Sequence, residues 1–161
     1  MARKSLIDRW IEKLEGSGKV DSEKLAQFVD QLKENYRDEA ILIKHMEAEA
    51  HHLPYNHLTR DALNLAEAKK QHLRQLERLI VELGGTIDTR EFESYNAEPS
   101  GQFTEILQRE NELGERLIDQ TIWLEGTGLA EYADVLLKLK NDHSDHREKI
   151  ERLIMKINAA L

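Results

Sequence analysis

"TIDTREFESYNAEPSG", residues 86–101, has no helical periodicity, yet amphipathic helical patterns flank it on both sides. Its length decides how those helices connect. Extended at about 3.3 Å per residue, it spans about 50 Å. A helix of about 25 residues is only about 38 Å long. The segment can therefore travel the full length of a helix and leave the two helices it joins parallel. A short loop would make them antiparallel neighbours.

Upstream lies "AEAKKQHLRQLERLIVELGG", residues 66–85, an amphipathic stretch stopped by its glycine pair. Thr59 or Asn56 is the expected start of that helix. Pro54 closes the helix before it, because the residue preceding a proline is pushed out of the helical region. That earlier helix is expected from an N-cap at Asp21 or Ser22 to about residue 52, with Leu25, Phe28, Val29, Leu32, Ile43 and Met46 inward. Residues 3–15, "RKSLIDRWIEKLE", put Leu6, Ile7, Trp10, Ile11 and Leu14 on one face of a short N-terminal helix, ended by "GSGK" at 16–19. That helix is expected to pack on the bundle or on a partner subunit.

Downstream, a helix over about 102–125 carries Ile106, Leu113, Leu117, Thr121 and Leu124 inward, and "GTG" at 126–128 breaks it. A last helix over about 129–159 carries Leu136, Leu139, Ile150, Leu153 and Ile157 inward. The expectation is one all-α domain over 1–161: an N-terminal helix and linker over 1–20, then a four-helix bundle over 21–161.

Composition agrees. Charged residues make up 34 % and aromatics 6 %, with 2 prolines and 8 glycines, a mixture that suits long helices with few turns. The net charge of −8, with no cluster of Lys and Arg, argues against a nucleic-acid partner. Without cysteine there are no disulfides, thiolate metal sites or cysteine nucleophiles. No stretch approaches the roughly 20 apolar residues of a membrane span, and no signal peptide is apparent. A cytoplasmic location is the expectation.

Polar residues interrupt each inward stripe near its middle: Tyr36 and Glu39, then Lys69 and His72, then Glu110, then His143 and His146. Residues at i and i+3 share a helix face, so His143 and His146 could grip one metal through neutral imidazoles. Glu39 and Glu110 could supply oxygen ligands, a mixed shell that suits iron, manganese or zinc. The bland alternatives are equally concrete: the histidine pair facing solvent, the lysine and His72 on the edge of the stripe, the two glutamates on its rim, and Tyr36 as a core aromatic. His45, His51, His52 and His57 read as solvated surface.

"LAEAKKQHLRQLERLIVELGG" (65–85) and "LLKLKNDHSDHREKIERLI" (136–154) resemble the second and fourth helices of ferritin-like, rubrerythrin-type proteins. The resemblance implies a left-handed four-helix bundle with one long crossover between its second and third helices. It also implies two iron or manganese ions on a glutamate and a Glu-x-x-His motif from each hairpin. On this chain Glu39 or Tyr36 falls at the first glutamate, Lys69 and His72 at the first motif, Glu110 (with Glu112 less well placed) at the second glutamate, and His143 and His146 at the second motif. Lys69 and His143 stand where bridging glutamates belong, and a charged ammonium cannot ligate a cation. Two outcomes follow. Either Lys69 replaces a metal in a closed network with the glutamates and histidines, leaving a metal-free scaffold or interaction protein. Or Lys69 swings aside on its stem, and Glu39, His72, Glu110, His143 and His146 hold an altered centre for metal handling or for oxygen or peroxide chemistry. A homodimer is implied in either case. Catalytic residues are not identified.

Overall fold

A computed structural model describes residues 19–160, with side chains from Ser22 onward. Five helices and no strand occur among the described residues: α1 (Lys19–Ala50), α2 (Asn56–Glu82), α3 (Arg90–Glu93), α4 (Phe103–Glu125) and α5 (Ala133–Ala160), with a 3₁₀ turn at Ala130–Tyr132 before α5. None is long and apolar enough to cross a membrane. The expected N-terminal helix and Trp10 lie outside the described residues.

Local chemistry sets most boundaries. α2 ends where Gly84 turns to φ +86°, a conformation that costs an L side chain but not glycine. Gly84 N–H then donates to Val81 O and Gly85 N–H to Ile80 O, the paired closure of a Schellman motif. Gly85 must also stay small, because a Cβ there would sit 2.8 Å from Val29 on α1 and 2.8 Å from Ile80. One expected cap is corrected, and of the two expected starts of α2 the one at Asn56 holds. α1 is already helical at Lys19, so Asp21 and Ser22 lie inside it. α2 starts at Asn56 behind Tyr55, and Thr59 instead donates its hydroxyl to Ala50 O, tying the second helix to the end of the first.

The four long helices pack as α1 on α2 and α4, and α5 on α4 and α2. The cross-contacts fix direction. Glu49 near the end of α1 meets Ser100 and Gly101 just before α4, whereas Asn35 further back meets Gln120. Lys156 near the end of α5 meets Asp61 at the start of α2. Both neighbouring pairs are thus antiparallel. The 86–101 segment runs alongside α1: Phe92 stands edge-on to Tyr36, Tyr95 hydroxyl lies 3.0 Å from His45 Nε2, and Ser100 Oγ donates to Glu49 at 2.9 Å. These contacts follow α1 from Tyr36 to Glu49, and with α1 antiparallel to both α2 and α4, those two point the same way.

The core falls into two apolar clusters. One gathers Phe28, Leu32, Leu76, Ile80, Leu117 and Leu136. The other gathers Ile43, Met46, Leu58, Leu65, Ile106 and Ile150. Each such side chain contributes about 1.5–3 kcal/mol when fully buried. Between the two clusters lies a layer of charged and imidazole side chains.

Candidate functional site

The layer is built at mid-helix positions whose neighbours one turn away are apolar, so packing drags the polar groups inward with them. Lys69 is 0 % exposed, Glu110 1 %, Glu39 2 %, and His72 and His143 4 % each; His146 is 7 % exposed. The rim, stripe-edge and solvent-facing expectations for these six residues are therefore overturned. Lys69 does not swing aside either. Its Nζ lies 2.7 Å from Glu110 Oε2, 2.9 Å from Glu110 Oε1 and 3.2 Å from Glu39 Oε1.

The histidines surround the same two carboxylates. His143 Nδ1–H donates to Glu110 Oε1 at 2.7 Å, while its Nε2 lies 3.7 Å from Glu39 Oε2. His72 Nδ1 is 2.9 Å from Glu39 Oε1 but off the line a hydrogen bond needs, and His72 Nε2 has no partner. His146 is looser: its Nδ1 is 4.0 Å from Glu110 Oε1 and makes no hydrogen bond. The His72 and His143 rings meet edge to face, with centroids 4.9 Å apart.

Electrostatics follow from this geometry. Burial pushes the Glu39 carboxyl up, but the Lys69 charge and the two imidazoles beside it outweigh that and hold Glu39 well below the usual carboxylate range. Glu110 is lowered in the same way by Lys69 and His143 against its own burial. Burial opposes the charge on Lys69, and the two carboxylates overcome it, holding its ammonium above the ordinary lysine value. Burial also disfavours a charged His143, but the hydrogen bond to Glu110 and the nearby Glu39 carboxylate win and raise it. For His146 the Glu110 carboxylate compensates too little: burial first, then the Lys69 charge, lowers it to about 4.

Two carboxylates face one ammonium, which leaves one negative charge inside the protein. A buried unpaired charge costs several kcal/mol. A proton on His143 or a cation beside Glu39 would cancel it. The donor atoms for a cation are in place. Glu39, His72 and His143 each offer one ligand atom within 4.8 Å of the others, and all three residues are buried. Two imidazoles and one carboxylate suit a non-haem iron site. His143 also has the second hydrogen bond that metal-binding histidines carry, its Nδ1–H resting on Glu110.

Other expected residues fall elsewhere. Tyr36 is 6 % exposed and packs edge-on against Phe92, where burial and Glu77 raise its hydroxyl pKa. Glu112 is exposed, as are His51, His52 and His57, while His45 is half-buried against Tyr95.

Two buried polar residues went unread in the sequence. Asn35 and Gln120 exchange both amide hydrogen bonds, at 2.7 and 3.1 Å, one turn from Glu39. The spacing 113, 117, 120, 124 on α4 was the available signal, and the inward position had gone to Thr121, whose hydroxyl merely returns to Leu117 O. Glu49, 5 % exposed, pins the end of the crossover rather than the polar layer. No protein-family model, curated protein or solved structure matches the chain.

Proposed function

We propose that the chain is a ferritin-like protein with a modified centre, in which Glu39, His72 and His143 hold a single metal ion. The observation that carries this reading is the convergence of those three buried donors within 4.8 Å, with His72 Nε2 unpartnered. The ferritin-like reading is supported by two antiparallel hairpins joined through a crossover that runs beside α1 from Tyr36 to Glu49.

In this reading Lys69 is not a ligand. It neutralises Glu110, and Glu110 in turn aims the His143 ring so that Nε2 faces Glu39. Lys69 thereby supplies the positive charge that a second ion would otherwise bring. His146, without a hydrogen bond and 4.0 Å from Glu110, is a reserve ligand at most. By resemblance the ion is iron or manganese, and it would supply redox chemistry toward oxygen or peroxide, or the metal itself would be the cargo.

The test is elemental analysis of untagged protein, followed by anaerobic Fe(II) titration of the stripped chain. One ion per chain, lost in His72→Ala and in His143→Ala, is the expected result. No stoichiometric ion in the wild-type chain would reject the metal reading.

A second reading has its own observation. Lys69 Nζ lies within 3.2 Å of both carboxylates, and a proton on His143 completes the charge balance without any metal. The protein is then a scaffold or interaction module whose central network specifies helix register, a use of buried polar groups with precedent. A metal-free wild-type chain of full stability would favour it.

A further inference from the structure

The polar layer is buried, yet a surface cleft reaches it. The cleft, of about 490 Å³, lies between α4 and α5, and Glu110 and His143 are among its lining residues. The cleft between α2 and α5 is lined by Leu65, Ala68 and Leu153, and the cleft between α1 and α4 by Leu113; neither is lined by a member of the charged layer. His143 also lines a second, inner cavity of about 10 Å³, shared with Glu39, His72 and Asn35. That volume is close to the room one water needs. The His143 ring thus borders the surface cleft on one side and the cavity beside Glu39 and His72 on the other.

Gly114 stands on the wall of the cleft in the middle of α4. Its φ is not positive, so the backbone does not demand glycine. A Cβ there would touch nothing within 4 Å, so packing does not demand it either. Glycine inside a helix nevertheless costs about 0.5–1 kcal/mol relative to alanine. What the missing side chain does provide is open space above Glu110 and His143.

The geometry points to the α4–α5 cleft as the route by which a hydrated divalent cation reaches the polar layer, passing Gly114 and then the His143 ring. This rests on the metal reading above. The mouth balances Glu115 and Glu151 against Lys140 and Arg147, so it neither repels a cation nor retains an anion. The attraction lies deeper, in the excess negative charge of Glu39 and Glu110 and in the imidazoles. Polar side chains along the wall, Asn111 and Ser144, can replace part of the hydration shell on the way.

The test separates rate from affinity. Co(II) uptake by the stripped full chain is followed by visible absorption in wild type, Gly114→Leu and Gly114→Ala. A Cβ at residue 114 meets nothing within 4 Å, and circular dichroism verifies that each variant folds. The route predicts that Gly114→Leu slows uptake about tenfold or more with an unchanged endpoint affinity, while Gly114→Ala loads at the wild-type rate. A Gly114→Leu chain that loads as fast as wild type overturns the route and leaves the metal reading standing. A wild-type chain that takes up no Co(II) ends both. A second readout needs no metal: deuterium exchange at the His143 imidazole Cε1–H, read by mass spectrometry, should slow in Gly114→Leu relative to wild type. Exchange at His143 that the variant leaves unchanged overturns the route as well.

Discussion

Lys69 Nζ sits 2.9 and 2.7 Å from the two oxygens of Glu110, with the whole lysine side chain removed from solvent. A buried pair of this kind adds little net stability over an apolar replacement of both partners, but removing one partner strands the other. Lys69→Met is therefore expected to cost about 3–5 kcal/mol in urea unfolding at neutral pH. Adding Glu110→Gln to it should recover part of that loss, because one of the two stranded charges disappears. A loss below 1 kcal/mol would mean that Lys69 can reach water in solution.

The same contact predicts how the chain responds to a restored carboxylate. Lys69→Glu exchanges an internal cation for a third carboxylate beside Glu39 and Glu110. The metal-free variant should be less stable than wild type, and Fe(II) or Mn(II) should raise its melting temperature more than it raises the wild-type value. Calorimetric titration checks the affinity directly. No gain in metal binding over wild type would count against convergence of the remaining ligands.

Much of this was legible in the sequence because the helical periodicity is strong. The stripes on α1, α2, α4 and α5 are long, and their polar interruptions stand at mid-helix, so Glu39, Lys69, His72, Glu110, His143 and His146 could be singled out by position alone. The crossover was legible from its length. Burial was not. Whether Lys69 lies on a stripe or at its edge turns on a helix rotation of a few tens of degrees, and the neighbouring helix sets that rotation, not the sequence around it. The Asn35–Gln120 pair stayed hidden for the same reason. Each amide looks like a surface residue until its partner, 85 positions away, is placed opposite it. The α1 cap was misread because Asp21 and Ser22 are good caps in isolation, while the helix had already begun before them.

That amide pair makes a prediction of its own. Both side chains are buried, and each satisfies the other. Asn35→Leu leaves the Gln120 amide without a partner and should cost about 1–3 kcal/mol. Removing both, as Asn35→Leu with Gln120→Leu, should cost clearly less than the sum of the single changes, because no orphaned amide remains. A double-mutant cycle by urea denaturation measures the difference. Strict additivity would mean that the two amides do not pair in solution.

The pH response of the metal-free chain follows from opposed shifts in the polar layer. Glu39 and Glu110 are lowered, so the stability they add is complete above the unfolded carboxylate value of about 4.3 and is lost as pH falls through their folded values. His143 is raised, so its contribution is complete below the unfolded imidazole value of about 6.5 and fades as pH rises through its folded value. Lys69 is raised and behaves likewise at the alkaline end, losing its contribution only above the ordinary lysine range. His146 runs the other way. It is lowered to about 4, so between the unfolded imidazole value and that point the unfolded chain binds the proton and the folded chain refuses it. Stability due to His146 therefore falls as pH drops through that window, by roughly 2 kcal/mol once solvent screening is allowed for. His146→Asn should flatten that acid-side decline without touching the steeper loss below it, which belongs to the carboxylates. Thermal unfolding of both chains in chelator across the acid range distinguishes the two. Parallel curves would show that His146 takes its proton in the folded state, and would move the decline to another group.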